Sequence, residues 1–382
     1  MSRIRICLAI VTAMTIGLST ECFGLDWEFQ TVDTVGNAGS GCSLALDSND
    51  SPHISYIHDG ISRSLRYAVL NGGSWSFETI DGSPSVYSAM ERSLALDHND
   101  VPMVAYAHRS GQAKWLSYAS RNAGGWQSQV VDDSFYNWPR DCTLLVDPAG
   151  QVHLSYFSSY SYEVRYATLS QGAWNKERIS FRPLYSSSQG IQIMAADMIL
   201  DETGTPFIAA VNPPQLDMLG ARLTPNGWTV ENLHGAGDSS WDLELLYDSS
   251  DTTHILYGYG FQHSWQDGNG WLREGSIDTD ADCYYEADMD SKGNTHVAYI
   301  DRYTDQLKYA MFDGTDWTME TISEAPGLLG ADIDLHVDSL DRIHIAYYDK
   351  TQQDLIYGIG VPEPTSLVIV LFGGMLLSRR RK

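Results

Sequence analysis

Basic charge is scarce in this sequence. Lys and Arg number 24 against 49 Asp and Glu in 382 residues, for a net charge of −25. Arg3, Arg5, Arg379, Arg380, Arg381 and Lys382 all sit at the two ends, so the body between them is more acidic still. Such a surface repels nucleic acid and anionic lipid, and no nucleic-acid partner is expected. It suits cations, neutral ligands or basic partners. Cysteine is scarce too. Of the five, Cys7 and Cys22 lie near the N-terminus, leaving Cys42, Cys142 and Cys283. Three cysteines in a chain this long make no disulfide framework. No CxxC or Cys/His metal spacing occurs. A single bridge among these three stays open, with Cys42 and Cys142 at equivalent places two repeats apart. What the chain does have is 43% apolar and 11% aromatic residues with 19% charged. That composition supports a folded core and argues against disorder.

The two ends read as addresses. Residues 1–24 have the form of a secretory signal peptide, with Arg3 and Arg5 ahead of a 13-residue apolar core at 6–18. Small residues Cys22 and Gly24 suit cleavage after Gly24. At the other end Pro362-Glu363-Pro364 precedes an 11-residue apolar run at 367–377 and a terminal Arg-Arg-Arg-Lys. As a helix that run would reach ~17 Å, short of the ~30 Å hydrocarbon core. It is a poor permanent anchor and a fitting processing signal. Residues 361–382 resemble the PEP-CTERM sorting signal of Gram-negative bacteria, which exosortase-type membrane proteases recognise. The resemblance implies export, transient inner-membrane association, cleavage near 362–364 by such a protease, and a cell-surface or extracellular destination. It also implies a setting of exopolysaccharide-producing, biofilm-forming bacteria. It covers about 22 residues and leaves the activity of the rest open.

Residues 25–360 repeat one unit seven times. Each copy has an apolar run ending in Asp, a short turn, and a His-β-branched-small-Tyr segment, as at 290–299, DSKGNTHVAY. The anchoring acids are Asp47, Asp97, Asp147, Asp201, Asp248, Asp290 and Asp338, spaced 42 to 54 residues apart. A β-rich period of that length predicts propeller blades. Each copy divides into four short strands: one before the anchor, one beginning six residues after it, a Leu-x-Tyr-Ala segment, and one opening with Trp. The seventh copy lacks its Trp strand. Residues 27–32, WEFQTV, carry that pattern at the start of the mature chain and are expected to complete the last blade. The expected fold is therefore an all-β, seven-bladed propeller of four-stranded antiparallel blades, closed by the N-terminal strand.

Residues repeated round a ring are scaffold. His53, His153, His254, His296 and His344 are read as packed histidines, because Met103 and Phe207 replace them in the other copies. The anchor acids are read as turn acceptors. As calcium loops, 47–50 and 338–341 lack EF-hand spacing. Chemistry belongs where the copies stop agreeing. Four residues before each anchor stand Ser43, Ser93, Thr143, Asp197, Glu244, Glu286 and Asp334, and period two turns them toward the channel. Two residues earlier stand Gly41, Glu91, Asp141, Ala195, Asp242, Tyr284 and Asp332, so up to eight carboxylates are expected at the axis or its mouth. Crowded carboxylates need a cation or water, and Ca²⁺ held by Asp197, Glu244, Glu286 and Asp334 is the metal expectation.

Loops on one face carry Tyr87, Arg92, Tyr136, Trp138, Arg140, Tyr185, Trp241, Tyr284 and Tyr285, with Tyr160, Arg182, His263, Trp265, Arg302 and Tyr303 around them. Aromatics with interspersed Arg suit sugar stacking and hydroxyl recognition. No G-x-S-x-G, His-Glu-x-x-His, phosphate loop or Ser-x-Asp-x-Gly-x-Thr-Trp box of the sialidase type occurs. A glycosidase needs two carboxylates at a set separation, and this channel offers too many to single out a pair. The sequence thus points to an exported, non-enzymatic binding or scaffold module for glycan or exopolysaccharide. The alternatives are a glycoside hydrolase or polysaccharide lyase using channel-mouth acids, and a purely structural matrix protein.

Overall fold

The computed structural model describes residues 24–362 apart from 61, 135–138, 159–162, 185–192, 213–215, 236–241, 249, 268–269, 324–327 and 329–331. For 88–92, 139, 140, 158, 267 and 283 only the backbone is described. The leader at 1–23 and the segment 363–382, with the Arg cluster, lie outside the described residues.

The described residues form seven four-stranded antiparallel sheets, six of them simple meanders in chain order. In blade one the strands are Asn37–Leu46, Pro52–Asp59, Arg63–Asn71 and Ser74–Asp81. The first strands of successive sheets touch one another in sequence, and the seventh returns to the first. The innermost strand is therefore the one preceding each anchor. In blade seven Leu25–Asp33 pairs with Asp354–Pro362 as the outer strand, so the N-terminus closes the ring as the repeat pattern predicts. Trp27 and Phe29 lie across Gly360 and Gly358, where a Cβ would run into their rings. The closing strand thus packs as well as hydrogen-bonds. Val361 and Pro362 still belong to the last strand, opposite Asp26 and Leu25.

The repeated residues explain why each segment folds as it does. Asp47 Oδ1 accepts the amides of Asn49 and Ser51, both at 2.8 Å, and all seven anchors bind their turns this way. These bonds satisfy amides that the tight turn leaves out of the sheet. Several turns also latch to a neighbour. Asp100 holds the Ser48 amide and hydroxyl, Asp341 those of Ser291, and Asp50 those of Ser339 across the ring closure.

The recurrent His bridges two strands of its own blade. His344 Nε2 is 3.0 Å from Asp338, and its Nδ1 is 2.6 Å from the Tyr357 hydroxyl. His153 bonds Tyr166 likewise at 2.6 Å, and His53 and His296 bond Tyr67 and Tyr309. Burial holds these imidazoles neutral: it depresses His53, His153, His254 and His344 despite the nearby anchor Asp.

The Trp strands knit blade to blade. Each Trp indole packs edge-on against an aromatic ring of the preceding blade, as Trp126 on Tyr67 at 5.2 Å and Trp27 on Tyr309 at 5.5 Å. Trp126 donates to Glu78, Trp228 to Glu177, Trp317 to Glu274 and Trp27 to Glu320, at 2.9–3.0 Å. Cys42 and Cys142 are buried free thiols. Among the described residues no helix is long and apolar enough to cross a membrane.

Candidate functional site

Two regions break the sevenfold pattern: the channel and the rim opposite the anchor turns. The channel holds the acids of the metal expectation. Ser43, Ser93, Thr143, Asp197, Glu244, Glu286 and Asp334 are all at most 5% exposed. They lace the inner strands together. Asp334 Oδ2 accepts the Leu44 amide at 2.7 Å, Ser43 Oγ accepts Leu94 N at 3.1 Å, and Asp197 Oδ2 accepts Leu245 N at 2.9 Å. In each case the side chain of one blade serves the backbone of the next. Asp197 Oδ1 also accepts the Thr143 hydroxyl at 2.6 Å.

A second tier does the same nearer the rim: Asp141 accepts Ala196 N, Asp242 accepts Tyr285 N, and Asp332 accepts Gly41 N at 2.7 Å. An inner strand pairs on one side only within its blade, so its other edge carries unpaired amides. These carboxylates meet that need. Burial raises the Asp332 carboxyl even so.

The channel narrows to a cavity of about 380 Å³ whose walls include Asp197, Glu244, Glu286 and Asp334 with Leu145, Ile199 and Leu246. The four acids of the metal expectation therefore share one space. Among the described residues, however, no three His, Cys, Asp or Glu groups stand close enough to hold a metal ion. The cavity also holds Asp288 and His336, which the sequence reading did not single out. They stand two residues before their anchors, where the other blades have Ala45, Ala95, Leu145, Ile199 and Leu246. His336 Nδ1 is 3.5 Å from Asp288 of the preceding blade and Nε2 is 3.8 Å from Asp334. Burial opposes its charge, but the hydrogen bond to Asp288 and the two carboxylates outweigh it and raise the imidazole to about 9.

The expectation of an unbroken period two up to the channel mouth needs correction. β-Bulges interrupt the inner strands of blades one, two, three and six between the channel positions and the rim. Each bulge inserts residues without partners and re-aims the side chains beyond it. Tyr87 is such a residue: Val86 pairs with His108 and Ser88 with Ala107, leaving Tyr87 between them. It is 38% exposed. Arg63 of blade one and Arg109 of blade two stand at its ring, 5.6 and 5.9 Å from the centroid. Neither Arg was singled out from sequence. The signal available was their place just before and after the second-to-third-strand turn.

Beneath this cluster Ser85 Oγ is 2.9 Å from His108 Nδ1, and His108 Nε2 is 3.4 Å from Asp81. His108 stacks flat on Trp115 at 4.8 Å. These contacts fix the 81–87 segment that presents Tyr87. Ser83 N donates to Asp81, and Arg109 N to Ser85 O at 2.7 Å, within the same segment.

The other rim residues divide. Tyr284 is 42% exposed and Tyr303 71%, with the Arg302 guanidinium 4.9 Å from the Tyr303 centroid. Tyr285, expected on the ligand face, is 1% exposed and packs on Phe261 at 6.0 Å. Neighbouring strand residues point to opposite sides, so an exposed Tyr284 sends Tyr285 into the core. His263 and Trp265, expected in a loop, lie in the third strand of blade five, and His263 is fully buried. There His263 sits 3.0 Å from His254, taking the place of the usual Tyr. Arg182 lies in a short 3-10 turn. Tyr136, Trp138, Tyr160, Tyr185 and Trp241 lie outside the described residues. For Arg92 and Arg140 only backbone is described, in the inner strands Val86–Leu96 and Pro139–Val146.

Fold and site together define a seven-bladed propeller with an acid-laced channel and an Arg-flanked aromatic rim. Among solved structures, a polysaccharide lyase described as PL25 ulvan lyase bound to -[GlcA(1-4)Rha3S]- superposes with a TM-score of 0.60. It is 11% identical, over 87% of this chain and 96% of that one. A second structure of that lyase gives 0.58 at 10% identity over the same shares. The SapL1 lectin in complex with alpha methyl fucoside gives 0.47 at 15% identity, over 73% of this chain and 98% of that one. At these identities the likeness concerns the fold alone. No protein-family model matches the sequence, and no curated protein sequence matches it.

Proposed function

We propose that this protein is a non-enzymatic carbohydrate-binding propeller, exported to the cell surface or matrix, that engages glycan or exopolysaccharide through its rim. One observation carries the reading: a bulge lifts Tyr87 out of the sheet, half-exposed, with Arg63 and Arg109 at its ring. An exposed aromatic face stacks on the C–H face of a pyranose, while guanidinium donors meet hydroxyl oxygens. Tyr284 and Tyr303 add exposed aromatic surface. The described channel offers less to catalysis, since Asp197 and Asp334 are occupied by backbone amides of neighbouring blades. A general acid–base pair must be free to contact substrate. The export route, exosortase processing near 362–364 and surface destination rest on the terminal motifs alone.

Two further readings stay in the test. The lyase whose fold this chain shares acts on a polysaccharide, so a hydrolase or lyase at the channel mouth is the enzyme alternative; fold alone does not choose function. The other is a structural matrix protein. A glycan array run with parallel assays for new reducing and unsaturated ends separates the three. Retention without new ends is the expected result. New ends support the enzyme, and no retention supports the structural protein.

A further inference from the structure

The chain enters and leaves the ring at one corner. Leu25 pairs with Pro362 and Asp26 with Val361, in the ladder that joins the closing strand to Asp354–Pro362. In blade one the same corner is a tight turn, with Asn71 opposite Ser74. Blade seven therefore carries both of its chain ends where blade one carries its third-to-fourth-strand hairpin. The strand order fixes the side of the ring. Each first strand ends at its anchor turn, the second runs from that turn to the rim, and the third returns. Asp354–Pro362 is the third strand of blade seven, so it ends on the anchor-turn face. Leu25 starts on that face too, and Val35, just past the end of the closing strand, stands at the rim.

The segments flanking this corner have little reach. The apolar run at 367–377 begins five residues after Pro362, a span of at most about 18 Å when extended. The apolar core at 6–18 ends seven residues before Leu25, at most about 25 Å. The nine residues of Asp354–Pro362 run the height of the blade, about 30 Å. Neither connection can pass from the exit corner up the blade to the rim.

Resting on the export and membrane association proposed above, we propose that the fold fixes how the ring is displayed on a lipid bilayer. While either apolar end is held in the bilayer, the anchor-turn face at blade seven is turned to the membrane. The rim, with Tyr87, Tyr284 and Tyr303, is turned away from it. A ring held rim-down would need a connection longer than the blade is high. The anchor-turn face needs no affinity for lipid of its own. An anchor Asp stands in every blade on that face, and acidic groups gain nothing from anionic headgroups. The short tether does the orienting, and it leaves the rim open to glycan while the chain is still retained.

The test uses residues 25–382, the leader-cleaved chain with its C-terminal segment, on phosphatidylcholine vesicles that carry a quencher on the headgroup. Cys283 is changed to Ser, and Cys42 and Cys142 are buried. A fluorophore is attached at Leu340→Cys, in the anchor turn of blade seven, or at Val35→Cys, at the rim. The two positions are 66% and 64% exposed, so both take the label alike. The expected result is loss of fluorescence from the Leu340 position on binding vesicles, with the Val35 position as bright as in the lipid-free sample. A Gly/Ser linker of about 30 residues inserted after Pro364, with a root-mean-square length of about 30 Å, should abolish the difference. Equal quenching at both positions without the linker, or stronger quenching at Val35, overturns the inference. So does a difference that survives the linker, because the face and not the tether would then set the orientation. A chain that does not float with the vesicles overturns the membrane association and this inference with it. The glycan reading has its own test and is untouched by that outcome.

Discussion

At the scale of single residues, the recurrent His is a bridge, and its value lies in what it leaves satisfied. Replacing His344 with Met copies the residue at position 103 of blade two, yet the surroundings differ. Tyr357 would keep a buried hydroxyl without His344 Nδ1, and Asp338 would lose its 3.0 Å donor. An orphaned buried polar group costs about 1–3 kcal/mol. His344→Met should lose that much in urea denaturation, while Met103→Leu should lose under about 1.5 kcal/mol.

The channel imidazole makes a pH prediction of the opposite sign. His336 is raised from 6.5 to about 9, so the folded state holds its proton more tightly than the unfolded chain. Its contribution is full below about 6.5 and disappears as pH rises through about 9. The side chain is 41% exposed, so solvent screens part of the effect. His336→Asn should be less stable than wild type near pH 6 and equal to it above pH 9. An equal gap at both pH values would contradict the ion-pair assignment. The bridging histidines act the other way. Their depressed values mean that stability falls as pH drops below 6.5. Asp132 and Asp301 are both lowered to about 2: burial opposes ionisation, but hydrogen bonds and the Arg165 or Lys308 charge prevail. They extend the acid-side loss below pH 3.8, the ordinary value of the group.

At the scale of elements, the Trp strands show a rule that four of the seven follow. The donors Trp27, Trp126, Trp228 and Trp317 meet a Glu three residues past the Trp of the preceding blade. Ahead of Trp75 and Trp174 that place is held by Gln30 and Gln129. The indole nitrogens of Trp75 and Trp174 are buried and find no partner among the described residues. Gln129→Glu and Gln30→Glu should each stabilise the ring by about 1 kcal/mol, read as a rise in denaturation midpoint. No rise, at constant m-value, would show that these indoles gain nothing from a carboxylate. The same scale explains what the sequence could and could not reveal. Anchor turns, strand order and the displaced Trp strand are local patterns repeated seven times, so comparison between copies exposed them. The bulges are not local patterns. They arise where one strand is longer than its partner, and they moved Tyr87 outward. The amides that Asp197 and Asp334 satisfy belong to the next blade. No reading of a single blade could show that those acids were already engaged.

At the scale of the whole molecule, ring closure decides which surfaces are available. The N-terminal strand pairs along Asp354–Pro362 and packs Trp27 and Phe29 over two glycines, which gives the seventh blade its fourth strand. The closed ring buries the conserved-by-repetition residues and offers two irregular surfaces, channel and rim. The channel acids of known partner hold neighbouring strands. The rim carries exposed Tyr87, Tyr284 and Tyr303 with Arg at two of them. The central claim is that this rim binds carbohydrate and leaves it intact. The most direct test incubates the mature chain with a polysaccharide it retains, then measures both retention and polymer length by chromatography and mass spectrometry. The account predicts retention by the wild type, at least tenfold weaker retention by Tyr87→Ala, and no change in polymer length with either. Shortened chains with new reducing or unsaturated ends, or full retention by Tyr87→Ala, would contradict it.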